Sequence, residues 1–317
     1  MARAGLVGCI LMAAIIISSA FLRLTTMGVG CEPWPACYGQ TKTENSVRTT
    51  QSPRGLSTGI DSARLLHRAS AMLVAVLAVF VVLLSLMPGV RTRSNVALAS
   101  ITLVLTVLLA VVGRVSATLL VPAVGMANLL GGFAMLACFW LLRMNNRPRT
   151  QITNARGAHY RSMALVVLAV FVAQTATGAL NTVTYSATLC PSLWVCDGAQ
   201  IGASERASDF DPFAKLQADA AGRVVPAVAA AKVQSVHRFS GGATAALIAA
   251  FGIWLALAAR RRALGLALTI LGSSEAAIGL AMATHDFPLI GALAHNAVAA
   301  ALLLMLLALA WRGAVRE

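Results

Sequence analysis

The chain has 317 residues, of which 58% are hydrophobic and 11% charged, with a mean hydropathy of +0.79. A soluble domain carries roughly 25% charged residues, so a water-soluble globular fold is excluded. The net charge of +14 comes mostly from arginine; these arginines lie in short loops between apolar runs and form no single stripe, which argues against nucleic acid as a partner and for a positive-inside membrane topology.

Apolar runs of about 20 residues recur along the chain, the length a helix needs to cross a hydrocarbon core of about 30 Å. Lipid obliges the backbone to bond to itself, and the alternation of a barrel strand is not seen, so helices are expected. The first run is Gly5–Leu24. No small-residue cleavage site clearly follows it, so it is read as a retained helix and not a signal peptide. A polar segment holding Cys31 and Cys37 leads to the second run, Leu65–Met87, closed by Pro88, Arg91 and Arg93. The third is Asn95–Val112 and the fourth Leu119–Leu142. A loop carrying Arg143, Arg147, Arg149, Arg156 and Arg161 precedes the fifth, Ser162–Val183. A second long polar segment holds Cys190 and Cys196. The sixth run, Val236–Ala259, ends at Arg260, Arg261 and Arg262; the seventh is Ala263–Ala283 and the eighth Leu289–Trp311, near Arg312 and Arg316. Arginine-rich loops follow runs two, four, six and eight, which puts both termini in the cytoplasm and the cysteine segments outside.

The sequence repeats itself. Leu66-His67-Arg68-Ala69-Ser70 and Val236-His237-Arg238-Phe239-Ser240 open long apolar runs 170 positions apart. Cys31 and Cys37 match Cys190 and Cys196, each pair enclosing five residues with a tryptophan among them. Ala110-Val-Val-Gly113 matches Ala276-Ala-Ile-Gly279, and Pro122 and Pro288 begin runs four and eight. The expected architecture is an all-α integral membrane protein of eight transmembrane helices, built as two parallel-repeat four-helix bundles over 1–150 and 151–317.

Paired cysteines on the outer side of a bacterial membrane are expected as disulfides, Cys31–Cys37 and Cys190–Cys196, because each pair needs only a tight turn. Metal binding by all four is the competing reading, against which stands the lack of Cys-x2-Cys spacing. Cys9 and Cys138 lie inside apolar runs and read as small core residues. His237, about one turn from its expected helix start, and His295, roughly 9 Å down its helix at 1.5 Å per residue, fall in the outer third of the bilayer. Two imidazoles at matched depth can ligate one haem iron axially, with Arg238 and Arg68 placed for propionates. The alternative is two separately hydrogen-bonded histidines. In the first half His67 faces Asn128, a poor iron ligand, which leaves either a haem pocket with one open axial face or a decayed site. Glu275, inside run seven, must be paired or protonated; a functional role and a helix-packing hydrogen bond are both open. His285 reads as a loop residue beside Asp286, and His159 as part of an arginine-rich loop.

The segment Arg23-Leu24-Thr25-Thr26-Met27-Gly28-Val29-Gly30-Cys31-Glu32-Pro33-Trp34-Pro35-Ala36-Cys37-Tyr38-Gly39 resembles the first outer loop of the haem A synthase family of cytochrome oxidase assembly proteins. His67-Arg68, His237-Arg238 and Ala294-His295 resemble that family's helices two, six and eight, and Gln174-Thr-Ala-Thr-Gly178 its fifth. The resemblance implies a haem-dependent membrane oxidoreductase that oxidises the methyl group of haem O to the formyl group of haem A. It implies a bis-histidine haem B at His237 and His295, a substrate half at His67, and a disulfide that stabilises the outer loop. As partners it implies membrane lipid, haem, a haem O synthase, an electron donor and a homo-oligomeric state, all in the cell's inner membrane. Two positions depart from the family pattern. Arg64 stands where a glutamate precedes the first His-Arg pair, and Asn128 stands for the histidine of helix four. Glu32, Glu44 and Asp61 are the nearest outer carboxylates before His67, none at the family spacing. A non-catalytic haem-binding protein of the same fold is the second reading. A transporter is the third, opposed by the few charges within helices and the lack of a broken helix pair.

Overall fold

The structure, a computed structural model, describes residues 1–29, 31–32, 36–40, 54–115, 120–147, 155–190, 192–193, 196, 210–226, 228–259 and 261–312. Trp34, Glu44, Arg149, Asn154, Trp194, Arg260 and Arg316, and the side chains of Arg156, His159 and Arg312, lie outside the described residues. Eight long helices carry the eight apolar runs. They are α1 (Ala2–Thr26), α2 (Arg54–Leu86), α3 (Arg93–Val115), α4 (Pro122–Asn145), α5 (Ala155–Val183), α6 (Val228–Leu257), α7 (Arg262–Thr284) and α8 (Leu289–Arg312). Each contains a stretch long and apolar enough to cross a membrane. Large apolar side chains such as Leu65, Val76, Val104 and Ile270 are exposed, as lipid-facing residues must be. The chain is a multi-pass, all-α membrane protein.

Three helices start well before their apolar runs: α5, at Ala155 and not Ser162, and two at the cysteine end. α2 begins at Arg54 and α6 at Val228, not at Leu65 and Val236. Apolar content marks where lipid begins, whereas Val228-Ala-Ala-Ala-Lys-Val-Gln continues the helix on propensity alone. His237 therefore lies well inside its helix, not about one turn from its start.

In the first half α1 and α3 each pack on both α2 and α4. In the second, α5 and α7 each pack on both α6 and α8. The halves meet where α1 touches α8, α4 touches α5, and α4 touches α8. One core gathers Met12, Val81, Leu136 and Phe139 in the first half, and another Phe171, Ile248, Leu255, Leu268 and Leu306 in the second. Glycines set the closest crossing. A Cβ on Gly265 would lie 2.4 Å from the Gly252 carbonyl oxygen, so the backbones of α6 and α7 touch as only small residues permit. At the arginine end, Asn95 Nδ2 donates to Asn146 Oδ1 at 3.1 Å and to the Val90 carbonyl at 2.8 Å, tying α3 to α4.

The cysteine end is capped by loops from both halves. Cys31–Cys37 and Cys190–Cys196 form the expected disulfides. A hairpin of β1 (Gln217–Ala218) and β2 (Val224–Val225) meets the first half's loop, with the Val224 amide donating to the Gly39 carbonyl at 3.0 Å. The Ala187 amide donates to the Tyr38 hydroxyl at 3.2 Å, and the rings of Tyr38 and Tyr185 meet edge to face. Burial pushes the Tyr185 phenol up to about 12, against the pull of the Arg23 charge, so it stays neutral at ordinary pH.

Candidate functional site

His237 and His295 stand on α6 and α8, the diagonal helices of the second half, each flanked by α5 and α7. His237 lies nine residues after Val228, the start of α6, and His295 six after Leu289, the start of α8. At 1.5 Å per residue these are roughly 14 and 9 Å along their helices. The two imidazoles are near enough to interact electrostatically.

Each ring is received by a neighbouring helix in the same way. On α5, Gln174 and Gly178 are one turn apart and share a face. Gly178 makes room for the His237 ring: a Cβ there would fall 2.8 Å from His237 Cε1. Gln174 Nε2 lies 2.9 Å from His237 Nδ1 and donates to the His237 carbonyl at 2.9 Å. Thr177 Oγ1 is 3.2 Å from the same Nδ1 and donates to the Gln174 carbonyl at 2.8 Å, which leaves its lone pairs able to accept an Nδ1–H. Ser240 Oγ donates to Gln174 Oε1 at 2.6 Å and fixes the amide. On α7, Glu275 and Gly279 repeat the arrangement. A Cβ on Gly279 would be 3.7 Å from His295 Cε1, and Glu275 Oε1 is 3.3 Å from His295 Nδ1. That last contact lacks hydrogen-bond alignment, so His295 Nδ1 and Glu275 Oε2 are buried without a hydrogen bond.

Haem ligation fits these residues. Both Nδ1 atoms are faced by polar side chains from a neighbouring helix, which leaves Nε2 of each ring for a ligand, and Gly178 keeps space against the His237 ring. Arg238 is already engaged: its Nη1 donates to the Ser192 carbonyl at 2.8 Å and so joins α6 to the Cys190–Cys196 loop. Arg23, near the cysteine end of α1, has a buried Nε with no hydrogen-bond partner.

The first half has the same positions with different residues. His67 lies thirteen residues after Arg54, the start of α2, and Asn128 six after Pro122, the start of α4, and these are the diagonal helices of this half. Among the described residues neither side chain makes a hydrogen bond to a protein group. Leu109 stands one turn before Gly113, where α7 has Glu275 before Gly279. Arg68 is exposed, and Arg64 Nη1 pairs with Asp61 Oδ1 at 3.2 Å on the surface. His285 is exposed in the α7–α8 turn beside Thr284. Sequence reading noted Thr177 and Arg23 only as parts of quoted motifs and gave neither a role. An arginine within an apolar run was the available signal for the second; nothing in the sequence singled out the first.

Residues 2–307 match the COX15-CtaA family, described as cytochrome oxidase assembly protein. The chain is also 28% identical over 301 residues to a heme A synthase of Shewanella oneidensis, covering 92% of this chain and 90% of that protein. Matched over nearly its whole length, the chain belongs to the COX15-CtaA family of cytochrome oxidase assembly proteins.

Proposed function

We propose that this protein is a haem A synthase, a membrane oxidoreductase that converts the methyl group of haem O to the formyl group of haem A for cytochrome oxidase assembly. The observation that carries this reading is the pair of backed imidazoles in the second half of a chain similar to a heme A synthase throughout. His237 and His295 hold haem B through their Nε2 atoms. Gln174 holds His237 through the hydrogen bond to its carbonyl, and Thr177 Oγ1 is the acceptor that an Nδ1–H would use when Nε2 presents its lone pair. Arg238 anchors the outer loop over the site. When bound, the haems supply the redox chemistry and the protein supplies position, dryness and charge.

The first half takes haem O. His67 binds it at one axial position, while Asn128 offers a hydrogen bond and no strong iron bond, which leaves one axial face open. Arg68 and Arg64 lie on the outer side, where propionates are expected. The two halves, 1–150 and 151–317, are parallel repeats about a pseudo-two-fold axis along the membrane normal; the matched helix neighbours and the repeated His-Arg and cysteine spacings support this. The arginine ends are cytoplasmic, both termini included, in the cell's inner membrane. Membrane lipid, a haem O synthase that supplies substrate, an electron donor and a homo-oligomeric state complete the reading.

A second reading, a non-catalytic haem-binding protein in oxidase assembly or electron transfer, is favoured by one observation: the first half has Asn128 for the opposing histidine, and among the described residues His67 makes no hydrogen bond to a protein group. The two readings separate in cells supplied with haem O. A synthase makes haem A, and His67→Ala abolishes it. Wild type that makes none supports the second reading. Haem A formed equally by wild type and His67→Ala removes the first half as the substrate site. Arg64→Glu combined with Asn128→His should raise the yield.

A further inference from the structure

The two imidazoles of the second half are backed by unlike groups. His237 Nδ1 meets the neutral Gln174 amide and Thr177 hydroxyl. His295 Nδ1 faces a carboxylate, Glu275, held within the apolar span of α7 with a side chain only 16% exposed. We propose that Glu275 is a positioning residue that makes His295 the stronger electron donor of the pair and so sets the reduction potential of the haem they hold; this rests on the haem reading above.

Geometry makes Glu275 specific to His295. Gly279, one turn along α7, lies against the ring, and Glu275 on the same face brings Oε1 to 3.3 Å from its Nδ1. Among the described residues Glu275 has no basic partner other than this imidazole, and its second oxygen is buried without a hydrogen bond. A buried carboxylate with no other task is costly in a membrane span, and a packing role would be served by an apolar residue. At 3.3 Å the pair is close enough that an Nδ1–H bond to Oε1 would need only a reorientation of the ring. Such a bond would draw the proton away from the ring, add electron density at Nε2 and favour the ferric state of a haem held there. The first half has Leu109 at the matching place, so this device belongs to the second haem alone.

The test compares wild-type protein, purified with its haem, against Glu275→Gln. Glutamine keeps the size and an acceptor oxygen but removes the charge. The expected result is unchanged low-spin haem content, a midpoint potential shifted to more positive values, and a near-infrared ferric charge-transfer band moved to longer wavelength. Glu275→Asp, which keeps the charge, should stay nearer wild type than Glu275→Gln. Equal potentials and band positions in wild type and Glu275→Gln overturn the proposal. So does a wild-type band at the energy of two neutral imidazoles, which needs no variant to fold. Wild type with no haem on His237 and His295 would instead overturn the underlying haem assignment, a separate outcome seen before any variant is made.

Discussion

Gly178 shows how a single hydrogen atom can decide a site. Its α-carbon lies against the His237 ring so closely that a Cβ would stand 2.8 Å from Cε1, inside any allowed contact. Gly178→Leu should displace the imidazole and lose roughly 10–100-fold in haem affinity, the scale seen when groups supporting a ligand are disturbed. Haem content per purified protein measures it; full retention would mean that the ring does not need this space. The sequence displayed the glycine and the glutamine one turn before it, but only as a matched motif. Their purpose depends on which helix α5 packs against, and that is a tertiary fact. Glu275 was legible as an anomaly, since a carboxylate in an apolar run must be compensated. Its partner was not legible, because α8 supplies it across a helix interface. Arg64 read as a charge poised beside His67, whereas in the fold it pairs with Asp61 on the surface, where such a pair contributes about 0–1 kcal/mol.

Among the elements, the lipid-spanning parts were readable and the helix ends were not. Hydropathy located all eight spans because lipid imposes a minimum apolar length. It missed the outward extensions of α2 and α6, where alanine and polar residues continue the helix beyond the membrane core. Those extensions place His67 and His237 well inside their helices, not near the ends that the runs suggested. The hairpin Gln217–Val225 that meets Gly39 lay hidden in a polar segment without periodicity. The loops between elements carry the topology. Reporter fusions at Ser94, Asn154 and Arg312 should all read cytoplasmic, given the arginines that flank them. An external reading at any of them would reverse the assigned orientation.

At the scale of the whole molecule, two halves with matched helix neighbours hold histidine positions of unequal character. In one, both rings are faced by polar side chains from adjoining helices; in the other, His67 and Asn128 hold the corresponding positions. The central claim is that His237 and His295 together hold one low-spin haem B. The most direct measurement is the reduced-minus-oxidised spectrum of purified protein, with its pigments extracted and resolved as haems B, O and A, for wild type, His237→Ala and His295→Ala. The account predicts a low-spin haem B signal in wild type that is abolished or strongly altered in each variant. Unchanged spectra and haem B content in both variants would contradict it.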